Sequence, residues 1–152
     1  MSFWQIACGD GTVDLNEIFL KLNVALIGPG SNGDYFDHRD QYEALSDGKL
    51  IKRFAEEIQL NDILVLKRVV NPHKHTWEIL AVGEVVGPYR YEPIFEAVDE
   101  DKWDMQHCRR VYWRKPRNQT IVNGGGAPVR IQRMEDTNPL VVKAKEILKE
   151  NE

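Results

Sequence analysis

Asp62-Ile63-Leu64-Val65-Leu66-Lys67 and Trp77-Glu78-Ile79-Leu80-Ala81-Val82-Gly83-Glu84-Val85-Val86 decide the fold class. Both runs are apolar and rich in β-branched residues, and the chain between them turns polar around Asn71-Pro72, His73 and His75, so they read as two strands joined by a hairpin. Upstream, Phe3 to Cys8 is an apolar run with aromatics, closed by Gly9-Asp10-Gly11, and reads as a first strand. Asp14 is placed to cap a short helix in which Leu15, Ile18, Phe19 and Leu22 recur at helical spacing. Val24 to Ile27 is a short buried strand. It ends in Gly28-Pro29-Gly30-Ser31-Asn32-Gly33, where the glycines and proline favour turns. Arg39 to Ile58 is polar, with Tyr42, Leu45, Leu50, Phe54 and Ile58 spaced for one or two short helices broken at Asp47-Gly48.

Downstream, His107 to Trp113 reads as a fifth strand, with Cys108, Arg110 and Tyr112 on one face and Arg109, Val111 and Trp113 on the other. Ala127 to Met134 adds a sixth. The last element is a helix capped by Thr137 or Asn138, with Pro139 at its first position and Leu140, Ala144, Ile147 and Leu148 as its apolar stripe. Five or six strands with a few flanking helices, and no regular βαβ alternation, predict an α+β fold built on a mixed sheet or small barrel. No repeat or linker divides the 152 residues, so the expectation is a single domain spanning 1–152.

A 42% hydrophobic content excludes disorder as the main state. Uninterrupted apolar runs such as Val24-Ala25-Leu26-Ile27 fall far short of the ~20 residues that span a bilayer, and the amino end lacks the pattern of a signal peptide. Cys8 and Cys108 do not make a disulfide framework in a chain of this size. These features predict a cytoplasmic protein with no membrane partner. Net charge is −4, yet residues 105–134 hold Arg109, Arg110, Arg114, Lys115, Arg117, Arg130 and Arg133 and no acid at all. Such asymmetry suggests one basic face that meets an anionic partner, set on an otherwise acidic body.

Catalytic patterns are missing. His73-x-His75 and His107-Cys108 fit neither a zinc finger nor a metalloprotease spacing. Gly28-Pro29-Gly30 and Gly124-Gly125-Gly126 lack the lysine of a phosphate loop and the pattern of a dinucleotide site. Neither cysteine has a local signal of activation. The expectation is no enzyme, no metal and no cofactor. Trp4, Trp77 and Trp113 sit in strand patterns and are expected in the core, whereas Trp103 lies among Asp99, Glu100, Asp101, Lys102 and Asp104, where a ring can stack on a base.

Three stretches then look familiar together. Val82-Gly83-Glu84-Val85-Val86-Gly87-Pro88-Tyr89-Arg90-Tyr91-Glu92-Pro93, followed by His107-Cys108-Arg109-Arg110-Val111-Tyr112-Trp113, resembles the core of EVE/YTH-like domains, closest to those at the amino end of McrB-type modification-dependent restriction proteins. Val24-Ala25-Leu26-Ile27-Gly28 with Gly33-Asp34-Tyr35 resembles their second strand and pocket loop, and Ala127-Pro128-Val129 through Arg133 to Leu148 resembles their close. The resemblance implies a PUA-like fold, a curved mixed sheet or small barrel with flanking helices, and a pocket that accepts one modified base. Flipping a base out costs a few kcal/mol, and stacking on an aromatic ring returns roughly 1–3 kcal/mol.

Carried over residue by residue, Trp103 in Asp101-Lys102-Trp103 matches a cage tryptophan. Ala7, Cys8 and Asp10 match the segment lining the pocket, and Arg133, with Arg130 as companion, matches a residue near the nucleic-acid backbone. Arg114 and Lys115 extend that basic set. Related restriction domains carry tryptophan where this chain has Pro29, so either Tyr35 or Phe36 supplies the missing ring or the cage has a different shape and a different preferred base, with Ser31 and Asn32 as polar readers of a base edge. Three readings stand at this point. The first is a non-catalytic reader of modified DNA that serves a motor and nuclease, in cis or in trans. The second is a reader of methylated adenine or another modified base in RNA. The third is a protein-interaction domain whose arginines meet an acidic partner.

Overall fold

A computed structural model describes residues 1–8, 14–96 and 104–151. The strands are β1 (Phe3–Ala7), β2 (Val24–Ile27), β3 (Ile63–Asn71), β4 (Thr76–Val85), β5 (Arg90–Tyr91), β6 (His107–Arg114), β7 (Thr120–Asn123) and β8 (Ile131–Met134). The helices are α1 (Asn16–Leu22), α2 (Arg39–Glu43), α3 (Gly48–Lys52), which runs into a wider turn over Arg53–Glu57, and α4 (Pro139–Glu150). The sheet runs β2-β6-β4-β3-β1-β8, with β5 on β6 and β7 on β4. Every pairing is antiparallel except β1 with β3. The result is an α+β fold on a curled, open mixed sheet. It has eight strands among the described residues rather than five or six; β5 and β7 are short and exist through their pairing with β6 and β4.

The continuous apolar runs follow from burial on both faces. On one face Trp4, Ile6, Leu64, Leu66, Val111 and Trp113 pack with Leu15, Phe19, Phe54 and Ile58 from the helical segments. On the other, Phe3, Ile63, Val65, Trp77, Ile79 and Val82 meet Leu140, Val141, Ala144 and Ile147 of α4. The tryptophans expected in the core are there: Trp4, Trp77 and Trp113 are all buried. Asn138 caps α4, its Oδ1 accepting the Leu140 amide at 2.9 Å, and its Nδ2 donates to the Gly125 carbonyl at 2.7 Å. Asp14 Oδ1 accepts the Asn16 amide at 2.9 Å at the start of α1. Among the described residues no helix is long and apolar enough to cross a membrane.

Two buried polar groups organise the body. Asp62 is 4% exposed and accepts the Ser2 amide, the Trp4 indole N–H and the Gln59 amide at 2.8, 3.0 and 2.9 Å. Arg109 is 3% exposed and donates to the carbonyls of Gly87, Phe54 and Ile58 at 3.0, 3.0 and 2.8 Å. This corrects the reading of Arg109 as part of a basic face: it is a cross-brace between β6 and the turn after α3. Cys108 is buried as well, so the strict alternation expected along this strand holds only from Arg110 onward.

Candidate functional site

The loop leaving β2 is held from beneath by side chains of β5, β6 and their approach. His107, fully buried at the start of β6, places Nε2 2.9 Å from the Pro29 carbonyl and Nδ1 2.6 Å from the Tyr89 hydroxyl. A carbonyl only accepts, so Nε2 carries the proton; in the neutral ring Nδ1 then accepts, and the Tyr89 hydroxyl donates to it. The Tyr89 oxygen in turn accepts the Tyr35 amide at 2.9 Å. Burial holds the imidazole neutral, with its pKa lowered from 6.5 to about 4. Tyr91 donates to the Gly30 carbonyl at 2.6 Å, Tyr42 donates to the Gly33 carbonyl, and Asp104 accepts the Gly30 amide at 3.2 Å. Gly28 and Gly30 lie so close to the Asp104 carbonyl and the Gln106 side chain that a Cβ at either position would collide.

The loop's Pro29, Gly30 and Gly33 carbonyls and its Gly30 and Tyr35 amides are therefore satisfied from within. Ser31 and Asn32 are exposed at its apex. Tyr35, expected to present a ring, is 1% exposed and lies under the loop, packed with Tyr42 and Tyr89. Phe36 is the outward ring: it is 45% exposed, edge-on to Tyr35 and Tyr89 at 5.3 and 5.5 Å, with the Arg39 guanidinium 5.0 Å from its centroid. Arg39 is paired with Glu56 at 3.1 Å. Asp34, Asp37, Asp40 and Glu43 follow the loop in the chain, and Arg90, paired with Glu92 at 2.7 Å, joins Arg39 as a cation at this end.

Cys8 is not brought to this loop. It follows β1, whose Ala7 sits beside Lys67 midway along β3, whereas Ile27 pairs with His107 at the start of β6. Since β6 and β3 are both antiparallel to β4, they run the same way, and the two positions are at opposite ends of the sheet. Burial, reinforced by Asp14, pushes the Cys8 thiol up to about 12, and it stays protonated as a donor to Asp14 at 3.3 Å. Asp10 and Trp103 lie outside the described residues; Asp104, next along the chain from Trp103, is the acceptor for Gly30.

The basic residues divide into two groups. Arg133 on β8 and Arg53 line an open cavity of about 320 Å³, together with Ser2, Trp4, Gln59, Gln132 and the acids Glu57 and Asp62. Arg53 Nη1 donates to the Ile131 carbonyl at 2.8 Å, which ties the turn after α3 to β8, and Arg130 reaches Asp47 at 3.7 Å. Glu56, facing the aromatic loop, and Glu57, on the cavity, belong to the same turn, so the two features flank one element. Arg114 and Lys115 belong elsewhere: β4, β3 and β1 separate β6 from β8, about 19 Å along the sheet. Among the described residues no three His, Cys, Asp or Glu side chains gather as a metal site.

Residues 4–126 match the family model described as Domain of unknown function (DUF8426). The chain belongs to the DUF8426 family. No curated protein matches it. The DUF8426 segment contains the whole aromatic loop with Tyr89, Tyr91 and His107, and stops before β8 and α4, so Arg130 and Arg133 lie beyond it. In this DUF8426 chain the sequence reading missed His107 as the pivot of the site. Its signal is the pairing of β5 and β6, which sets Tyr91 opposite His107, and that pairing is not visible in one strand alone.

Proposed function

We propose that this domain is a non-catalytic reader of a modified nucleobase in DNA, a member of the PUA-like, EVE/YTH-like group that serves a cytoplasmic restriction system with its motor and nuclease in cis or in trans. The observation that carries the reading is the Pro29–Phe36 loop, rigidly satisfied from below by the Tyr35–Tyr89–His107–Pro29 chain while Ser31, Asn32 and Phe36 face outward. A fixed loop pays little ordering entropy on binding, so stacking on Phe36 and hydrogen bonds from Ser31 and Asn32 count nearly in full. The curled sheet supports the PUA-like assignment. Arg53 and Arg133, on the cavity across the same helical turn, are the groups that would meet phosphates. One contact class then recognises the base and another grips the backbone.

The test is competition binding at about 0.1 M salt with matched duplexes carrying unmodified cytosine, 5-methyl-, 5-hydroxymethyl- or 4-methylcytosine, or N6-methyladenine, beside a methylated single-stranded RNA. Preference for one modified duplex is expected. Preference for the RNA would transfer the same site to an RNA reader, and equal weak binding to every probe would overturn the base-reading function.

A further inference from the structure

The function above leaves Arg114 and Lys115 unused, together with the only large aromatic side chain of β6 that faces solvent. Along β6, Val111 and Trp113 point into the core, while Arg110, Tyr112 and Arg114 occupy the opposite face. Tyr112 is 54% exposed, and the Arg114 guanidinium lies 5.4 Å from its ring centroid. Among the described residues neither Arg110 nor Arg114 makes an ion pair, in contrast to Arg39, Arg68, Arg90 and Arg130. The same face of the sheet is covered further along by α4, which packs mainly on β3, β4 and β7. Its continuation on β6 thus presents a basic, an aromatic and a basic side chain in one line about 13 Å long.

We propose that this face of β6 is a docking strip for single-stranded nucleic acid, with Arg110 and Arg114 on its phosphates and Tyr112 stacked against an unpaired base. Charge complementarity selects a polyanion: two unpaired guanidinium groups bracket the ring, Lys115 follows, and Glu84, opposite Tyr112 on β4, is the acid beside it. The ring selects a single strand over a duplex, because a stacked base must first be unpaired. The strip is one side chain wide, which suits an extended backbone rather than a broad protein interface. It lies across the sheet from Arg133 and involves neither the loop nor Phe36, so it stands or falls apart from the base-reading function.

Fluorescence anisotropy with labelled dT12 and rU12, measured from 0.05 to 0.3 M salt, tests the strip. Salt-dependent binding is expected, and the relative affinity of the two probes shows whether DNA or RNA is preferred. Tyr112→Ala weakens it about tenfold while Tyr112→Phe retains it. The Arg110→Ala/Arg114→Ala double variant flattens the slope of log affinity against log salt by about 1.4, the loss of two phosphate contacts on a single strand. Arg110, Tyr112 and Arg114 all lie on the outer face of β6, so the variants fold, which unchanged thermal unfolding verifies. Absence of binding to both oligonucleotides, or wild-type affinity and slope in the arginine variant, overturns the proposal.

Discussion

Acidification should destabilise this domain through one residue, His107. The unfolded chain takes up a proton on that imidazole near pH 6.5, while burial delays the same event in the folded protein to about pH 4. Between those values the unfolded state binds more protons, so stability falls as pH falls through the window. Each unit of the gap is worth about 1.4 kcal/mol, so the contribution reaches about 3 kcal/mol by pH 4. Urea unfolding followed by tryptophan fluorescence at pH 7.5, 6.5, 5.5 and 4.5 measures it, with His107→Gln as reference. The glutamine amide can still donate to the Pro29 carbonyl and does not titrate, but it leaves the Tyr89 hydroxyl without its acceptor. The variant is therefore about 1–3 kcal/mol less stable at pH 7.5 and loses less on acidification, so the two curves converge toward pH 4.5. Parallel curves would refute both the neutral tautomer and its place beneath the loop.

Lys67 is 4% exposed, donates to the Ala127 carbonyl at 2.9 Å and lies 3.9 Å from the Trp77 ring; burial lowers its pKa from 10.5 to about 8. The unfolded chain binds the extra proton between those values, so stability should rise as pH is raised from 8 to 10, and Lys67→Met should gain about 1–2 kcal/mol at pH 7 in urea titration, after the lost hydrogen bond is deducted. Arg109→Met deprives three buried carbonyls of their donor and should cost about 3 kcal/mol in thermal unfolding; Arg109→Lys should recover little, since one ammonium cannot span all three. In the duplex competition assay Phe36→Ala should abolish preference among the modified bases, whereas Arg133→Ala should weaken every duplex alike and reduce the salt slope by about 0.9. Equal loss of preference from both changes would refute that division of labour.

Most of the architecture is legible in the chain because its strands are buried on both faces, and runs such as Ile63–Leu66 have to be continuously apolar. The capped start of α4 is equally plain at Asn138-Pro139. β5 and β7 are not, since two- and four-residue strands carry no period of their own and form only where a longer neighbour pairs with them. At the site, Ser31 and Asn32 fall where a turn of glycines and proline puts them, but the choice between Tyr35 and Phe36 stays open in the sequence: which of two adjacent rings turns inward depends on packing with Tyr42 and with Tyr89, far along the chain. Arg109 misleads for a related reason. Its charge argues for the surface, and only the three carbonyls that converge on it make the interior habitable.

The position of β1 has a bearing on how the chain is made. This strand lies inside the sheet, with Leu64 beside Trp4 on one flank and Arg133 on the other. During synthesis the first flank can close once β3 has left the ribosome, but the second stays open until β8 follows, after nearly the whole domain has been translated. A nascent chain therefore carries an uncovered, strongly apolar edge for most of its elongation, the kind of surface that pairs with other chains. Slowing translation upstream of residue 131 should increase the demand for chaperones, and that demand should vanish once Ile131–Met134 is released.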